Sequence, residues 1–445
     1  MKALENAANR QSSIDNRKSP RSPWYWIPTL YFGEGLPYVI VMTVSVIMYK
    51  RLGLSNQDIA FYTSWLYLPW VIKPLWSPVV DILRTKRFWI VAMQLLVGVS
   101  LAGVAFTIPT TSFIQTTLAI FWLMAFSSAT HDIAADGFYM LALNDKEQSF
   151  FVGIRSTFYR IASISGQGLL VILAGYLEHE GILGLGGNIV AAWSITFFVI
   201  AGLFILVAVY HQFILPYPAS DASVGTSGFA GFVREFFKTF AAFFTKDSIG
   251  LVISFLLLFR LGEAQLVKMV SPFLLDGMEK GGLGLTTEQV GFVYGTMGIL
   301  ALTLGGLSGG FVVAKKGLRY WLWPMVLIIH LPDLVFVYLS AVQPSSLWVI
   351  TAGVAVEQFG YGFGFTAYMM YMIYVSRGSH STVHYALCTG FMAMGMMLPG
   401  MASGWIQSQL GYVNFFVWVF LATIPSFILA RLVTIDPEFG KKGIS

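Results

Sequence analysis

Apolar stretches of membrane-spanning length recur along almost the whole chain. They run at roughly 24–50, 57–80, 88–108, 113–143, 151–178, 187–214, 249–275, 287–313, 319–341, 345–376, 380–408 and 411–434. A helix that crosses a bilayer needs about 20 mostly apolar residues, so the pattern predicts an all-α membrane protein with twelve transmembrane helices. The runs are continuous and do not alternate, which excludes a β-barrel. Pro28, Pro37, Pro69, Pro74, Pro332 and Pro399 fall at membrane depth, where neighbouring helices re-satisfy the freed backbone groups. Composition narrows the alternatives. Of 445 residues, 56% are hydrophobic and 11% charged, against about 25% charged in an average soluble chain. That excludes a soluble enzyme and a disordered chain. A net charge of +5 spread this thinly excludes a nucleic-acid binder. One cysteine, Cys388, rules out a disulfide scaffold and a cysteine metal site.

Orientation follows from the basic residues between the spans. One side collects Lys2, Arg10, Arg17, Lys18, Arg21, Arg84, Lys86, Arg87, Lys146, Arg234, Lys238, Lys246, Lys315, Lys316, Arg319, Arg377, Arg431, Lys441 and Lys442. The other collects Lys50, Arg51 and Lys280. Both termini are therefore expected in the cytoplasm. Residues 1–23 are polar and lead into a full-length apolar run, unlike a cleaved signal. The chain divides into a tail (1–23), a six-helix half (24–214), a linker (215–248), a second six-helix half (249–434) and a tail (435–445). Phe229, Phe232, Phe236, Phe240 and Phe243 beside Arg234, Lys238 and Lys246 suit an amphipathic linker helix on the inner membrane surface.

Ionisable residues inside the spans each cost about 2.5–3.5 kcal/mol on insertion scales and so need a reason. They are Glu34, Lys73, Asp132, Asp136, Arg155, Arg160, Arg260, Glu263, Lys268, Asp333 and Glu357. Asp132 and Asp136 share one helix face, as do Ser156, Arg160, Ser163 and Gln167 on the next span. The two stripes lie at matching depth, which predicts pairing of Asp132 or Asp136 with Arg160 and places Arg155 nearer the inner mouth. Glu357 begins a stripe with Tyr361, Gly364, Tyr368 and Tyr371 that suits sugar rings. His330 and Asp333 read as a satisfied structural pair. His380 and His384 have no third ligand nearby, which argues against a metal. The sequence has no nucleophile elbow, Walker A loop or His-Glu-x-x-His. It is therefore read as a non-enzyme without cofactor, driven by an ion gradient.

Six spans, a linker and six spans form a repeat of the kind secondary transporters use. After span two stands Ser77-Pro-Val-Val-Asp81-Ile-Leu-Arg84-Thr-Lys86-Arg87, and after span eight Gly310-Phe-Val-Val-Ala314-Lys315-Lys316-Gly317-Leu-Arg319. Both resemble the loop motif of the major facilitator superfamily, although Ala314 replaces the motif's Asp. Gly33-Glu34-Gly35-Leu36-Pro37, Lys73-Pro-Leu-Trp76-Ser77-Pro78, Ser128-Ala-Thr-His131-Asp132 through Asp136, and Tyr159-Arg160 are similar to AmpG-type muropeptide permeases. His131 stands where that family usually has Gln, and the motifs cover roughly residues 33–170.

The resemblance implies the major facilitator fold. In that fold ten of the eleven membrane charges line a central cavity, and only Asp333 is peripheral. It further implies proton-coupled import of a peptidoglycan-derived amino sugar or muropeptide across a bacterial inner membrane. An acidic oligosaccharide, an acyl-CoA or a non-transporting receptor are the rival readings. Glu34, Asp132, Asp136, Glu263 and Glu357 are the ion-coupling candidates. Glu34 leads because no basic residue lies within a turn on its helix. Arg160, Arg155, Lys73, Gln167, Arg260, Lys268, Tyr361 and Tyr368 are the substrate-binding candidates. Asp81, Arg87, Lys315 and Arg319 form the gating motif, in which Asp81 dominates. The expected partners are an anionic glycan or glycopeptide, a coupling ion and the lipid bilayer, with a monomeric chain.

Overall fold

The computed structural model describes residues 22–180, 187–218, 221, 229–378 and 381–441. Side chains are outside the description at 81, 82, 145 and 229–236. Among the described residues the structure is helical, without strands. We number the helices α1 (Pro23–Arg51), α2 (Asn56–Trp65), α3 (Leu68–Leu83), α4 (Lys86–Thr107), α5 (Phe113–Ala142), α6 (Lys146–His179), α7 (Ile189–Ile214), α8 (Phe229–Phe244), α9 (Ile249–Leu275), α10 (Thr287–Lys316), α11 (Leu318–Val342), α12 (Leu347–Ser376), α13 (Ser381–Leu421) and α14 (Ile424–Leu432).

Nine helical stretches among the described residues are long and apolar enough to cross a membrane. The twelve apolar runs differ from these nine for local reasons. The run at 57–80 is split into α2 and α3 by a break at Leu66–Tyr67, just ahead of Pro69. In α12, 30 residues long, Glu357, Gln358 and the tyrosines dilute the apolar character. The two last runs continue into each other through α13, where Gly411 turns the chain at φ 70° and ψ 170°, a region open to glycine.

Polar residues start several helices by accepting the first free N–H groups. Ser55 caps α2 through Asp58, and Thr85 caps α4 through Phe88. Asn144 and Glu147 form a capping box, so α6 begins about one and a half turns before the apolar run at 151–178. Three helices carry a wide turn: Ile40–Val44 in α1, Ile164–Leu170 in α6 and Gly291–Gly298 in α10. Such insertions are frequent at functional positions. Two others are interrupted, and α1 also holds a proline, Pro37. α9 breaks at Phe259–Arg260, and α11 passes through a 3₁₀ turn at Leu331–Asp333.

Within each part of the chain the closest packing is of α1 on α6, α4 on α5 and α7, α9 on α13, and α12 on α10 and α11. Early helices meet late ones where α13 packs against α2 and α3, where α6 packs against α10, and where α9 packs against α1. The second is a backbone approach. A Cβ placed on Gly295 would lie 1.9 Å from the Gln167 carbonyl oxygen, and one on Gly175 would lie 2.3 Å from the Glu288 nitrogen. In the first contact, a Cβ on Gly404 would lie 2.2 Å from the Asn56 carbonyl oxygen. α8 docks on α13 through Phe243, which is fully buried and stacks on Phe391 with ring centroids 6.1 Å apart.

Candidate functional site

The helices alternate direction, so their ends define two faces of the molecule. The near end carries residues 22–26, 83–86, 142–146, 215–218, 221 and 432–441; the far end carries 51–56, 178–180, 187–189, 275–287 and 407–412. Charged side chains enter from the near end along α3, α5 and α6. Lys73 pairs with Asp132, and Arg155 pairs with Asp136 at 2.9 Å. Tyr31 donates to the same Asp136 at 3.3 Å, and the Arg155 guanidinium lies 4.5 Å from the Tyr31 ring centre. These pairs are partly open, with 42% of the Asp136 side chain and 28% of Arg155 accessible. Glu34 of α1 sits deeper, with 8% exposed. Asp132 and Asp136 are its nearest electrostatic neighbours, and its Oε2 has no hydrogen-bond partner.

The expected pairing of Arg160 with Asp132 or Asp136 does not form. Lys73 reaches Asp132 from α3, and Arg155, one turn earlier on α6, takes Asp136. Helix spacing predicted a common depth but could not register which cation from a third helix arrives first. Arg160 is half-buried and, among the described residues, has no hydrogen bond or ion pair.

Arg160 and Arg260 both act electrostatically on Tyr361. Arg260 donates to the Tyr361 hydroxyl and lies 4.8 Å from the Phe365 ring centre. Lys268 is buried, donates to Thr63 Oγ1 at 3.0 Å, and faces the Tyr67 ring. Arg260 acts electrostatically on Tyr38 and Tyr67 as well. Early and late helices therefore meet at one cluster of phenols and cations.

Two expected members have other contacts. Tyr368 is fully buried, donates to the Leu256 carbonyl at 2.5 Å and stacks on Phe255 and Phe259, so it packs α12 on α9 while Arg260 still acts on it electrostatically. Gln167 is buried in the α6–α10 contact, donating to the Tyr294 carbonyl at 3.4 Å. Of the gating motif, Arg87 holds the carbonyls of Gln212 and Leu215 and faces the Tyr217 ring at 3.9 Å. Lys315 covers the Phe311 ring at 4.2 Å and Arg319 is exposed. The Asp81 side chain lies outside the description, as does His380.

Glu263, Asp333 and Glu357 converge, with one carboxylate oxygen of each within 4.8 Å of the others. This corrects the peripheral placing of Asp333. The His330–Asp333 pair is not satisfied either: Nδ1 is 3.8 Å from Oδ2, and neither ring nitrogen has a hydrogen-bond partner.

Sequence reading missed two networks. Gln94 joins His131 at 2.9 Å to His211 at 2.8 Å, and His211 meets Thr29 at 2.8 Å. A Gln and a His on two spans carry no spacing signal to each other. At the far end, Asp276 binds Lys50 at 2.6 Å and Tyr412 at 2.7 Å. Glu178 binds Arg51 at 2.8 Å, Thr287 at 2.7 Å and Trp193 at 2.9 Å. These bonds tie α1, α6 and α7 to α9, α10 and α13 and close the far end. The unusual acids and bases bordering apolar runs at 50–51, 178 and 276 were the available clue.

This arrangement, helices packed around a charged interior that is closed at one end, defines a membrane transporter. Residues 29–387 match the Major Facilitator Superfamily, and the chain belongs to that superfamily; it is a transporter and not an enzyme. Among relatives, it is 25% identical over 424 residues to the anhydromuropeptide permease of Escherichia coli K12, covering 93% of this chain and 79% of that one. Two solved structures share the fold. A POT family transporter in complex with 5-aminolevulinic acid superposes with a TM-score of 0.70 at 11% identity, covering 91% of this chain and 94% of the other. A bacterial homologue of the human lysosomal transporter Spinster, inward-facing and unoccupied, gives 0.65 at 16% identity, covering 92% and 98%.

Proposed function

We propose that the chain is an ion-coupled importer of a peptidoglycan-derived amino sugar or muropeptide in a bacterial inner membrane. Twelve crossings form two halves, 24–214 and 249–434, joined by the linker 215–248, with both termini cytoplasmic. In this reading the near end is cytoplasmic and the closed far end describes an inward-facing state. Substrate and direction rest on the similarity to the anhydromuropeptide permease; the proton is the proposed coupling ion.

The observation that carries the reading is a contrast among five basic side chains. Lys73 and Arg155 are matched by Asp132 and Asp136. Among the described residues, Arg160, Arg260 and Lys268 have no carboxylate within ion-pairing distance. A buried cation is costly without a counter-charge; Arg260 and Lys268 are buried with neutral hydroxyl partners and Arg160 is half-buried, so we assign the three to an anion. Arg is suited to that role, since its planar fork donates two parallel hydrogen bonds to a carboxylate. The lactyl or peptide carboxylate of a muropeptide supplies one, and Tyr38, Tyr67 and Tyr361 offer aromatic faces and hydroxyls to the sugar.

Uptake competition in proteoliposomes tests this. N-acetylmuramic acid and N-acetylglucosamine differ by the lactyl carboxylate. The acid should compete and the neutral sugar should not. Equal competition would overturn the anionic-substrate reading.

A further inference from the structure

The second part of the chain holds a pocket that the anion site does not use. Glu263 comes from α9, Asp333 from α11 and Glu357 from α12, and their carboxylate oxygens lie within 4.8 Å of one another. Exposure is 0% for Glu263, 1% for Asp333 and 1% for Glu357. Two of the three helices are interrupted at this level. The helix restarting after Arg260 carries Glu263 in its first turn, and Asp333 closes the 3₁₀ turn that begins at Leu331. Interrupted membrane helices with free backbone ends are a recurring device for holding ions in transporters.

The charged and titratable groups facing the pocket are Arg260 and Glu263 on α9, Tyr294 on α10, His330 and Asp333 on α11, and Glu357 and Tyr361 on α12. Gln358 donates to Glu357 at 3.0 Å. Arg260 is therefore the one permanent cation facing three acids among the described residues. Holding further dry carboxylates ionised costs several kcal/mol each.

A second observation comes from outside the acids. His330 is fully buried, its Nδ1 is aimed at Asp333, and both ring nitrogens lack a hydrogen-bond partner. Both oxygens of Glu263 and of Asp333 lack one as well. A proton moving among these atoms would supply the missing bonds.

We propose that Glu263, Asp333, Glu357 and His330 form a proton-loading centre, distinct from Glu34 and its neighbours, that is linked to the substrate through Arg260. Arg260 touches both sites: it donates to Tyr361 in the anion cluster and acts electrostatically on Glu263. An anion that engages Arg260 weakens its compensation of Glu263. A carboxylate then takes up a proton from water, R–COO⁻ plus H⁺ giving R–COOH, with no redox step. By linkage the loaded proton returns Arg260 to the anion, so the two ligands favour each other. This coupling rests on the transport reading above, whereas the pocket's own proton content does not.

The test uses the full chain in nanodiscs. First, infrared spectroscopy reads the C=O stretch of protonated carboxyl groups in the absence of substrate. The band should be present in wild type, fall in Asp333→Asn and Glu357→Gln, and be unchanged when choline chloride is replaced by sodium chloride. Absence of the band in wild type overturns the centre, and so does a band unaltered in both variants. Bleaching by sodium makes it a metal-ion site and overturns the proton assignment. Should either variant fail to fold, titration of the wild-type band together with the sodium comparison decides alone. Second, N-acetylmuramic acid is added in weak buffer with a pH dye. Proton uptake should be lost in Glu357→Gln and persist in Glu438→Gln, an exposed acid outside both sites. A pocket band without any dye response overturns the linkage and the substrate reading while the pocket stands.

Discussion

At the residue scale, the membrane acids divide by what surrounds them. Asp132 and Asp136 have fixed cations and partly accessible side chains. Glu34 has neither a cation in hydrogen-bond contact nor appreciable exposure, so a change of its charge is the cheapest way to report on its acidic neighbours. Glu34→Gln should abolish gradient-driven accumulation and leave counterflow exchange within about threefold of wild type, because exchange needs no net proton movement. Unchanged accumulation would remove Glu34 from coupling. Arg160 offers a sharper distinction. Its guanidinium is uncommitted, so Arg160→Lys keeps the charge but loses the fork. The expected cost is about tenfold in apparent affinity, or ~1.4 kcal/mol, measured as the half-saturating concentration for N-acetylmuramic acid uptake. Arg155→Lys retains an ion-pairing cation for Asp136 and should cost much less. Equal effects from the two would show that Arg160 is no special ligand.

Among the elements, the legible features were those with a period. Apolar runs of the right length mark α1, α4, α5, α6 and α7 closely, whereas the run at 57–80 reads as one span and is in fact split ahead of Pro69. Charged residues in the runs at 24–50, 57–80, 113–143 and 151–178 were recognised as a set, yet their pairing depends on helix rotation and on which neighbour intrudes. For that reason Lys73 displaced Arg160 as the partner of Asp132, and Asp333 proved central. A Leu-Pro-Asp sequence does not disclose that its 3₁₀ turn swings the acid toward α9 and α12. The glycine contacts were equally hidden, since Gly175, Gly295 and Gly404 look like many others among 44 glycines. They make a strong prediction. Gly295→Ala puts a methyl group against the Gln167 backbone, and overpacking of this kind costs about 1–3 kcal/mol. The far end should loosen, seen as faster thiol labelling of a cysteine placed at position 287 on a Cys388→Ser background. Gly250→Ala meets nothing within 4 Å and should leave labelling unchanged. On the same background, Asp81→Asn tests the near-end motif. It should raise labelling of near-end cysteines, and equal labelling would remove Asp81 from gating.

For the whole molecule, the far end is held by polar contacts laid over close backbone approaches. Lys50–Asp276 and Arg51–Glu178 bridge early and late helices, and both must part for the far end to open. Exchanging the charges, Lys50→Asp with Asp276→Lys, should restore transport lost in either single variant, whereas a lack of rescue would show that the surrounding Asn56 and Tyr412 bonds fix the polarity. The α6–α10 contact has a different consequence. Where a carbonyl lies too close to a glycine to admit even a methyl group, a file of water cannot pass. Protons hop along such files, and a membrane potential drives each one with about 2.3 kcal/mol per 100 mV. The contact therefore acts as an insulator as much as a hinge. Substrate-free vesicles containing Gly295→Ala should acidify under an imposed potential, dissipating the gradient that the intact protein spends on its cargo.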